Sequence, residues 1–332
     1  MITISLIWGI SLLSTLTSGY ALPEPCSGVC VNTHDPSIIR HSDGTYFRFS
    51  TGGRIAIHAA PTLNGPWIYK GAAIPRGSSI NLPGNQDLWA PEISRHNSTH
   101  YHLFYSVSTF GSQTSAIGLA ISPSLDINTW TDLGSINLSS SPSSKTPYNA
   151  IDPSLIYDQA NTSYLTFGSF WKGIYLIPLS YSTTTSKFTV TSSNQAIQLA
   201  FDPSDAAIEG PNIYFKNGFF YLFFSKGACC GYDRSRPAKG KEYRIMVCRS
   251  TNLTGVYRDK NGRDCRNGGG TVVLESHGWV YGPGGQGIIE GEGGRPVMYY
   301  HYVDSRVGFA DGQKRLGWNW VTFDVGGWPV VV

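Results

Sequence analysis

Residues 35–39 read Asp35-Pro36-Ser37-Ile38-Ile39, and residues 152–156 read Asp152-Pro153-Ser154-Leu155-Ile156. In both places a proline in a polar turn is followed by a short apolar run, a second polar turn and an aromatic-rich run, Tyr46-Phe47 in the first and Tyr164-Leu165 in the second. The same unit recurs as Ala90-Pro91-Glu92-Ile93 leading to Tyr101-His102-Leu103-Phe104, and as Glu209-Gly210-Pro211-Asn212-Ile213 leading to Phe220-Tyr221-Leu222. A looser fifth copy runs from Gly282-Pro283 through Ile288 to Val297-Met298-Tyr299-Tyr300. The five prolines stand 55, 62, 58 and 72 positions apart. Units of about 60 residues have room for four short strands each, and five of them predict an all-β, five-bladed β-propeller. A β-sandwich with Pro-x-apolar turns recurring by chance is the alternative, and near-equal spacing disfavours it.

Outward from these copies, strand-like runs fall at residues 45–50, 101–105, 116–121, 163–167 and 174–179. Others fall at 212–215 and 219–224, joined by the hairpin signature Lys216-Asn217-Gly218, and at 244–248, 297–303 and 318–323. No segment sustains a 3.6-residue apolar period, so helix content is expected to be low. Nine Trp, 19 Tyr, 15 Phe, 38 Gly and 19 Pro suit strands and turns. Residues 139–145 have the composition of a linker, yet they lie between two copies and are expected to form an inter-blade loop; no domain boundary is visible.

The chain has 332 residues with 25 Lys+Arg and 22 Asp+Glu, so charged side chains are 14% of it, where about 25% is usual. That excludes a disordered chain, a coiled coil and a basic nucleic-acid binder, and a net charge of +3 names no polyanionic partner. Residues 1–21 carry an uncharged apolar run ending in Gly19-Tyr20-Ala21, which reads as a cleaved signal peptide, a buried N-terminal helix being the alternative. No later stretch is long and apolar enough to span a membrane, so residues 22–332 are expected to form one secreted, monomeric domain with no membrane or nucleic-acid partner.

Six cysteines suit an oxidising compartment. Cys26 and Cys30 are near enough to bridge locally. Cys229, Cys230, Cys248 and Cys265 suggest two bridges whose pairing spacing leaves open; a zinc site is disfavoured, since no CxxC or nearby His accompanies them. Sequons begin at Asn97, Asn137, Asn161 and Asn252.

In a propeller the first strand of each blade lines the central channel, so residues at the start of each copy meet at one mouth. Asp35 and Asp152 hold the same place in copies one and three, and Glu209 sits one position earlier in copy four. An Asp before Pro often serves only to cap a turn. Two in repeat register with a glutamate beside them point instead to glycoside hydrolysis, in which a neutral carboxyl protonates the leaving oxygen and an ionised one activates water. A third carboxylate nearby can hold the acid's proton by like-charge repulsion.

Around these acids stand Asn32-Thr33-His34-Asp35-Pro36, Leu88-Trp89-Ala90-Pro91-Glu92, Tyr148-Asn149-Ala150-Ile151-Asp152-Pro153, Gly168-Ser169-Phe170-Trp171 and Ile208-Glu209-Gly210-Pro211. With residues 110–119, the paired Cys229-Cys230 and the closing Gly326-Gly327-Trp328-Pro329, the chain resembles, in order and over nearly its whole length, the endo-α-1,5-L-arabinanases of glycoside hydrolase family 43. The resemblance implies inverting cleavage of internal α-1,5 links of arabinan, a pectin side chain. It implies Asp35 as general base, Glu209 as general acid and Asp152 as the residue that tunes and orients the acid. Trp89, Phe110 and Trp171 would be sugar platforms, with core packing as the ordinary alternative for each, while Asn149 and Ser169 would hydrogen-bond sugar hydroxyls.

The chain departs from the family at one point. Many bacterial members carry, after Gly-Pro-Gly, a histidine that helps hold a metal near the axis; the matching position here is Gly285. No cofactor is required by the expected chemistry, and a central ion stays unassigned, with water, Gln286, His277 or His301 as conceivable partners. An exo-acting α-L-arabinofuranosidase or β-xylosidase on the same fold, and a non-catalytic carbohydrate-binding propeller, are the rival readings.

Overall fold

The computed structural model describes residues 19–97 and 99–332, so residues 1–18 of the signal-peptide reading lie outside the described residues. The chain folds as a five-bladed β-propeller, each blade a four-stranded antiparallel sheet. Blade 1 comprises β1 (Ser37–Arg40), β2 (Tyr46–Ser50), β3 (Ala56–Ala60) and β4 (Ile68–Ala72). Blade 2 comprises β5 (Trp89–Arg95), β6 (Tyr101–Val107), β7 (Ser115–Ser122) and β8 (Thr131–Ser140). In blade 3, β9 (Ser154–Tyr157), β10 (Ser163–Phe167) and β11 (Ile174–Pro178) are followed by a separate hairpin, β12 (Ser180–Ser182) and β13 (Lys187–Thr189), before β14 (Ile197–Ala200) completes the sheet. Blade 4 is β15 (Ile208–Lys216), β16 (Phe219–Lys226), β17 (Arg244–Ser250) and β18 (Thr271–Leu274); blade 5 is β19 (Val280–Glu290), β20 (Pro296–Asp304), β21 (Arg315–Phe323) and β22 (Pro329–Val331). Helix among the described residues is limited to four single-turn 3-10 segments. Of residues 139–145, expected as an inter-blade loop, 139–140 end β8 in the ladder with β7, and 141–145 belong to the link between blades 2 and 3.

Each blade is apolar on both faces and can bury them only against its neighbours. Five separate apolar clusters result, one per inter-blade interface. Ring closure falls to the last of them, where Trp67 and Tyr46 of blade 1 meet Leu316 and Trp318 of blade 5. The N-terminal segment stitches this seam: Glu24 N–H donates to Trp318 O (2.9 Å), Leu316 N–H to Cys30 O (2.8 Å) and Val29 N–H to Trp67 O (2.8 Å). The Cys26–Cys30 disulfide lies in the same segment. The two bridges left open by the sequence are Cys229–Cys230 and Cys248–Cys265. All four sequon asparagines are exposed.

The innermost strands form a ring, β1 touching β5, β5 touching β9, β9 touching β15, β15 touching β19 and β19 touching β1. At the start of every blade one residue lies in the left-handed region: Asp35 (φ 41°), Ala90 (φ 42°), Asp152 (φ 58°), Gly210 (φ 62°) and Gly285 (φ 59°). Three of the five are not glycine, and a non-glycine residue pays strain for that conformation. The fifth copy therefore begins at Gly285-Gln286, not at Gly282-Pro283. Two register breaks in β19, between Tyr281 and Gly284 and between Gly284 and Gly287, shift it by three residues. A cavity of about 40 Å³ on the axis is accordingly ringed by Pro36, Pro91, Pro153, Pro211 and Gln286.

Candidate active site

The left-handed residues are held by the blade before them. Thr51 Oγ1 accepts the Ala90 N–H (2.8 Å), Ser106 Oγ the Asp152 N–H (3.0 Å), Ser225 Oγ the Gly285 N–H (3.0 Å) and His301 Nδ1 the Asp35 N–H (3.1 Å). Each acceptor lies two residues beyond the second-strand residue that pairs with the inner-strand residue two places after the left-handed one of its own blade. In blade 3 that place belongs to Gly168, because Ser154 pairs with Thr166. Glycine offers no side chain, and the Gly210 N–H goes to Asp152 Oδ2 instead (3.0 Å). A missing side chain in one blade thus draws a carboxylate onto the floor of the site.

Above this ring opens a cavity of about 720 Å³, and all eight sequence-predicted residues line it: Asp35, Asp152, Glu209, Trp89, Phe110, Asn149, Ser169 and Trp171. Asp35 keeps 35% of its side chain exposed. Thr51 Oγ1 donates to its Oδ2 (2.8 Å), and His301 Nδ1 lies 3.6 Å from its Oδ1. Glu209 accepts from Ser169 Oγ on Oε2 (2.6 Å) and from Tyr243 Oη on Oε1 (3.0 Å). Burial, and secondly the Asp35 charge, raise Glu209 above the usual carboxyl range, and the Ser169 and Tyr243 hydrogen bonds oppose this. Burial followed by the Glu209 and Asp35 charges pushes Asp152 well up. Asp152 and Glu209 are therefore the proton-holding side of the site.

Phe110, in the β6–β7 loop, is 85% exposed, and Trp171, in the β10–β11 turn, 36% exposed. Trp171 and the adjacent Phe170 are both left-handed (φ 44° and 53°), a strained turn that sets two rings at the rim. Asn149 is buried; its Oδ1 accepts from Ser115 Oγ (2.7 Å) and Ser140 Oγ (3.4 Å), which leaves the amide NH₂ as the group free to donate. The Ser169 proton goes to Glu209, so only this hydroxyl's lone pairs remain for a ligand.

Sequence reasoning did not select Phe170, Tyr243, His34 or Lys314, all of which line the cavity. Burial and the Glu209 and Asp35 charges keep the Tyr243 phenol neutral and hence a donor. Lys314 is fully enclosed, with Nζ near Asp311 Oδ1 (3.3 Å), His34 Nδ1 (3.5 Å) and Cys230 Sγ (3.5 Å). Tyr243 and Lys314 belong to no repeat motif and left no signal. His301 stands in register with Thr51, Ser106 and Ser225, so an alignment of second strands across the five copies would have found it.

The position of the family's metal-holding histidine does not fit a side chain here. A Cβ on Gly285 would lie 2.7 Å from both Asp35 Oδ1 and His301 Nδ1. His301 fills that space, and burial holds it well below the usual histidine range, hence neutral. Its Nδ1 accepts the Asp35 N–H, which assigns the ring proton to Nε2. His277 turns both ring nitrogens to the main-chain carbonyls of Glu275 (2.7 Å) and Ala21 (3.0 Å), away from the cavity. Gln286 is occupied by Ser225 Oγ (2.8 Å) and Gly210 O (2.7 Å). Among the described residues no group of three or more His, Cys, Asp or Glu is arranged to hold a metal ion.

Comparison with known proteins agrees with this geometry. The profile of the family described as glycosyl hydrolases family 43 matches residues 29–329. A protein of Aspergillus clavatus named "Probable arabinan endo-1,5-alpha-L-arabinosidase A" is 56% identical over 324 residues, 97% of either chain. Two solved structures superpose with a TM-score of 0.78. One is a GH43 endo-arabinanase from Bacillus licheniformis, 33% identical, covering 92% of this chain and 99% of its own. The other is an exo-1,5-alpha-L-arabinanase from a bovine ruminal metagenomic library, 30% identical, covering 91% and 97%. With five blades, three converging carboxyls and a profile match across nearly every blade, the chain belongs to glycosyl hydrolase family 43.

Proposed function

We propose that this chain is an endo-acting arabinanase that hydrolyses internal α-1,5-L-arabinofuranosyl links by a single displacement with inversion. The observation that carries the reading is the meeting of Asp35, Asp152 and Glu209, from three blades, on the floor of one aromatic-rimmed cavity. Asp35 takes a proton from water as the oxygen attacks the anomeric carbon. The glycosidic C–O bond breaks, and the leaving oxygen takes the proton of Glu209. Both carboxyls then reset by exchange with solvent. Inversion requires them to stand about 6.5–9.5 Å apart, leaving room for that water.

Asp152 supports Glu209 in two ways. Two neighbouring buried carboxyls lose their protons in two steps, so the charge of Asp152 in the singly ionised pair raises the proton affinity of Glu209, and the Asp152 bond to the Gly210 N–H anchors the residue next to Glu209. Trp89, Phe110, Trp171 and Phe170 offer rings to the C–H faces of arabinofuranose, and Asn149 offers its NH₂ to a hydroxyl. The two carboxyls and water suffice for the chemistry, with no cofactor. Three disulfides and four exposed sequons support secretion as a glycoprotein, acting as a monomer.

Glu209→Ala tests the assignment. Activity on linear arabinan is expected to fall about 10³-fold, while a substrate with a good aryl leaving group, which needs no acid, keeps most of its rate. Equal losses on both would refute Glu209 as the acid. NMR of the first-formed anomer checks inversion, and retention would overturn it. Short oligomers appearing before arabinose support endo action; arabinose alone makes the enzyme exo-acting, and binding without products makes it a carbohydrate-binding propeller.

A further inference from the structure

The rings open to the cavity come from blades 2 and 3: the exposed Phe110, Phe170 and Trp171 and the half-buried Trp89. A chain cut internally must also be held on the far side of the cleavage point, against blades 4 and 5. The larger side chains there are buried and engaged, Tyr243 donating to Glu209, His301 accepting the Asp35 N–H and Lys314 paired with Asp311. What that wall presents to the cavity is the half-buried Cys229–Cys230 disulfide.

Two adjacent sulfurs and their Cβ atoms make a small apolar, polarisable patch with no donor, the kind of surface on which the C–H face of a sugar can lie. The patch is held rigidly. Gly231 N–H donates to both oxygens of Asp311 (3.2 and 3.1 Å), Ala228 N–H to Lys241 O (2.9 Å), and Tyr232 Oη to Ala228 O (2.5 Å). Lys314 Nζ supports Cys230 Sγ from beneath at 3.5 Å while also meeting His34, the residue before Asp35. A surface held in place before the ligand arrives loses little entropy on binding.

We propose that the Cys229–Cys230 disulfide is a sugar-binding platform, carrying one arabinofuranosyl ring of the substrate on the side of the scissile bond opposite the aromatic wall. This rests on the arabinan reading above. The test is chemical protection in the Glu209→Ala variant, whose turnover is about 10³-fold slower, with linear arabinohexaose as the probe, read before the probe is consumed. A water-soluble dithiol breaks the S–S bond, leaving two thiols and closing to its own cyclic disulfide; alkylation and peptide mass spectrometry then give the rate at Cys229–Cys230. At saturating arabinohexaose that rate is expected to fall about fivefold or more, with the buried Cys248–Cys265 bridge as an internal reference. An unchanged rate while tryptophan fluorescence reports saturation overturns the platform and leaves the arabinan reading standing. No fluorescence response at any concentration overturns both. In the Cys229→Ser/Cys230→Ser variant, KM on linear arabinan is expected to rise about fivefold with a smaller change in kcat, whereas a merely structural role would lower kcat at unchanged KM.

Discussion

Asp35 and Asp152 open two blades with the same Asp-Pro-Ser sequence, the same left-handed main chain and the same place in the ladder, and they end in opposite surroundings. Asp35 is one-third exposed, with Thr51 on one oxygen and the neutral His301 ring beside the other. Asp152 lies under Glu209, bonded to the next blade's first amide because Gly168 leaves that amide unclaimed. The difference comes from the flanking blades. Blade 5 gives Asp35 a histidine and blade 2 begins with Ala90, which adds no charge, while blade 2 gives Asp152 a serine and blade 4 brings a glutamate; within their own blades Asp35 has Thr51 where Asp152 has Gly168. Identical local sequence thus yields one carboxyl open to water and one that competes with Glu209 for a proton.

The largest expected break in this comparison is at the open member. Asp35→Asn should lower kcat/KM about 10⁴-fold on arabinan and on an aryl arabinofuranoside alike, since both need a base. Steady-state kinetics check this, and turnover within a hundredfold of wild type would remove Asp35 from that role. Asp152→Asn should cost less, about 10²-fold, because the amide can still accept from Gly210 N–H. It leaves Glu209 with no second carboxyl that can ionise beside it, so the acid no longer holds its proton against a neighbouring charge, loses it at lower pH, and the basic limb of the kcat/KM profile moves down. A limb that stays or moves up would contradict the tuning role.

The same substitution sharpens the comparison thermodynamically. A carboxyl whose folded pKa is raised binds its proton more tightly when folded, so its contribution to stability is lost as pH rises from the ordinary carboxyl range through the raised value. Asn has no such loss. Thermal unfolding should therefore show Asp152→Asn gaining on wild type as pH goes from 4 to 8, and a gap that narrows would have the wrong sign. The smallest effect is expected at Glu92, which Ser37 Oγ (3.1 Å) and Ser154 Oγ (3.3 Å) hold beside the axial cavity, outside the lining of the large one. Burial pushes it from 4.5 up to about 7. Glu92→Gln should leave kcat within twofold and raise Tm by about 2–4 °C at pH 8 but not at pH 4.

The strands readable from sequence were mostly the second and third of each blade, such as Tyr101–Val107, buried at every position, and Phe219–Lys226. Outer strands such as Ile68–Ala72, exposed over most of their length, have no apolar alternation to read. The fifth copy was placed three residues early because β19 breaks register twice and carries Gln286 where the other blades have proline. The three acids were legible because they sit in the repeat. Phe170, next to Trp171 at the rim, owes its exposure to two successive left-handed residues that no pattern announces.

Five copies of a proline turn, three acids at their heads and a wealth of aromatic residues follow from the covalent order, because a repeat is a local pattern and survives without coordinates. Which of these acids is pushed toward holding a proton is decided by desolvation and by groups brought from distant parts of the chain: His301 from β20, Tyr243 from the approach to β17, Lys314 before β21. Electrostatic environment depends on separation in space, and only the closed ring of blades brings these groups within a few ångströms of Asp35, Asp152 and Glu209.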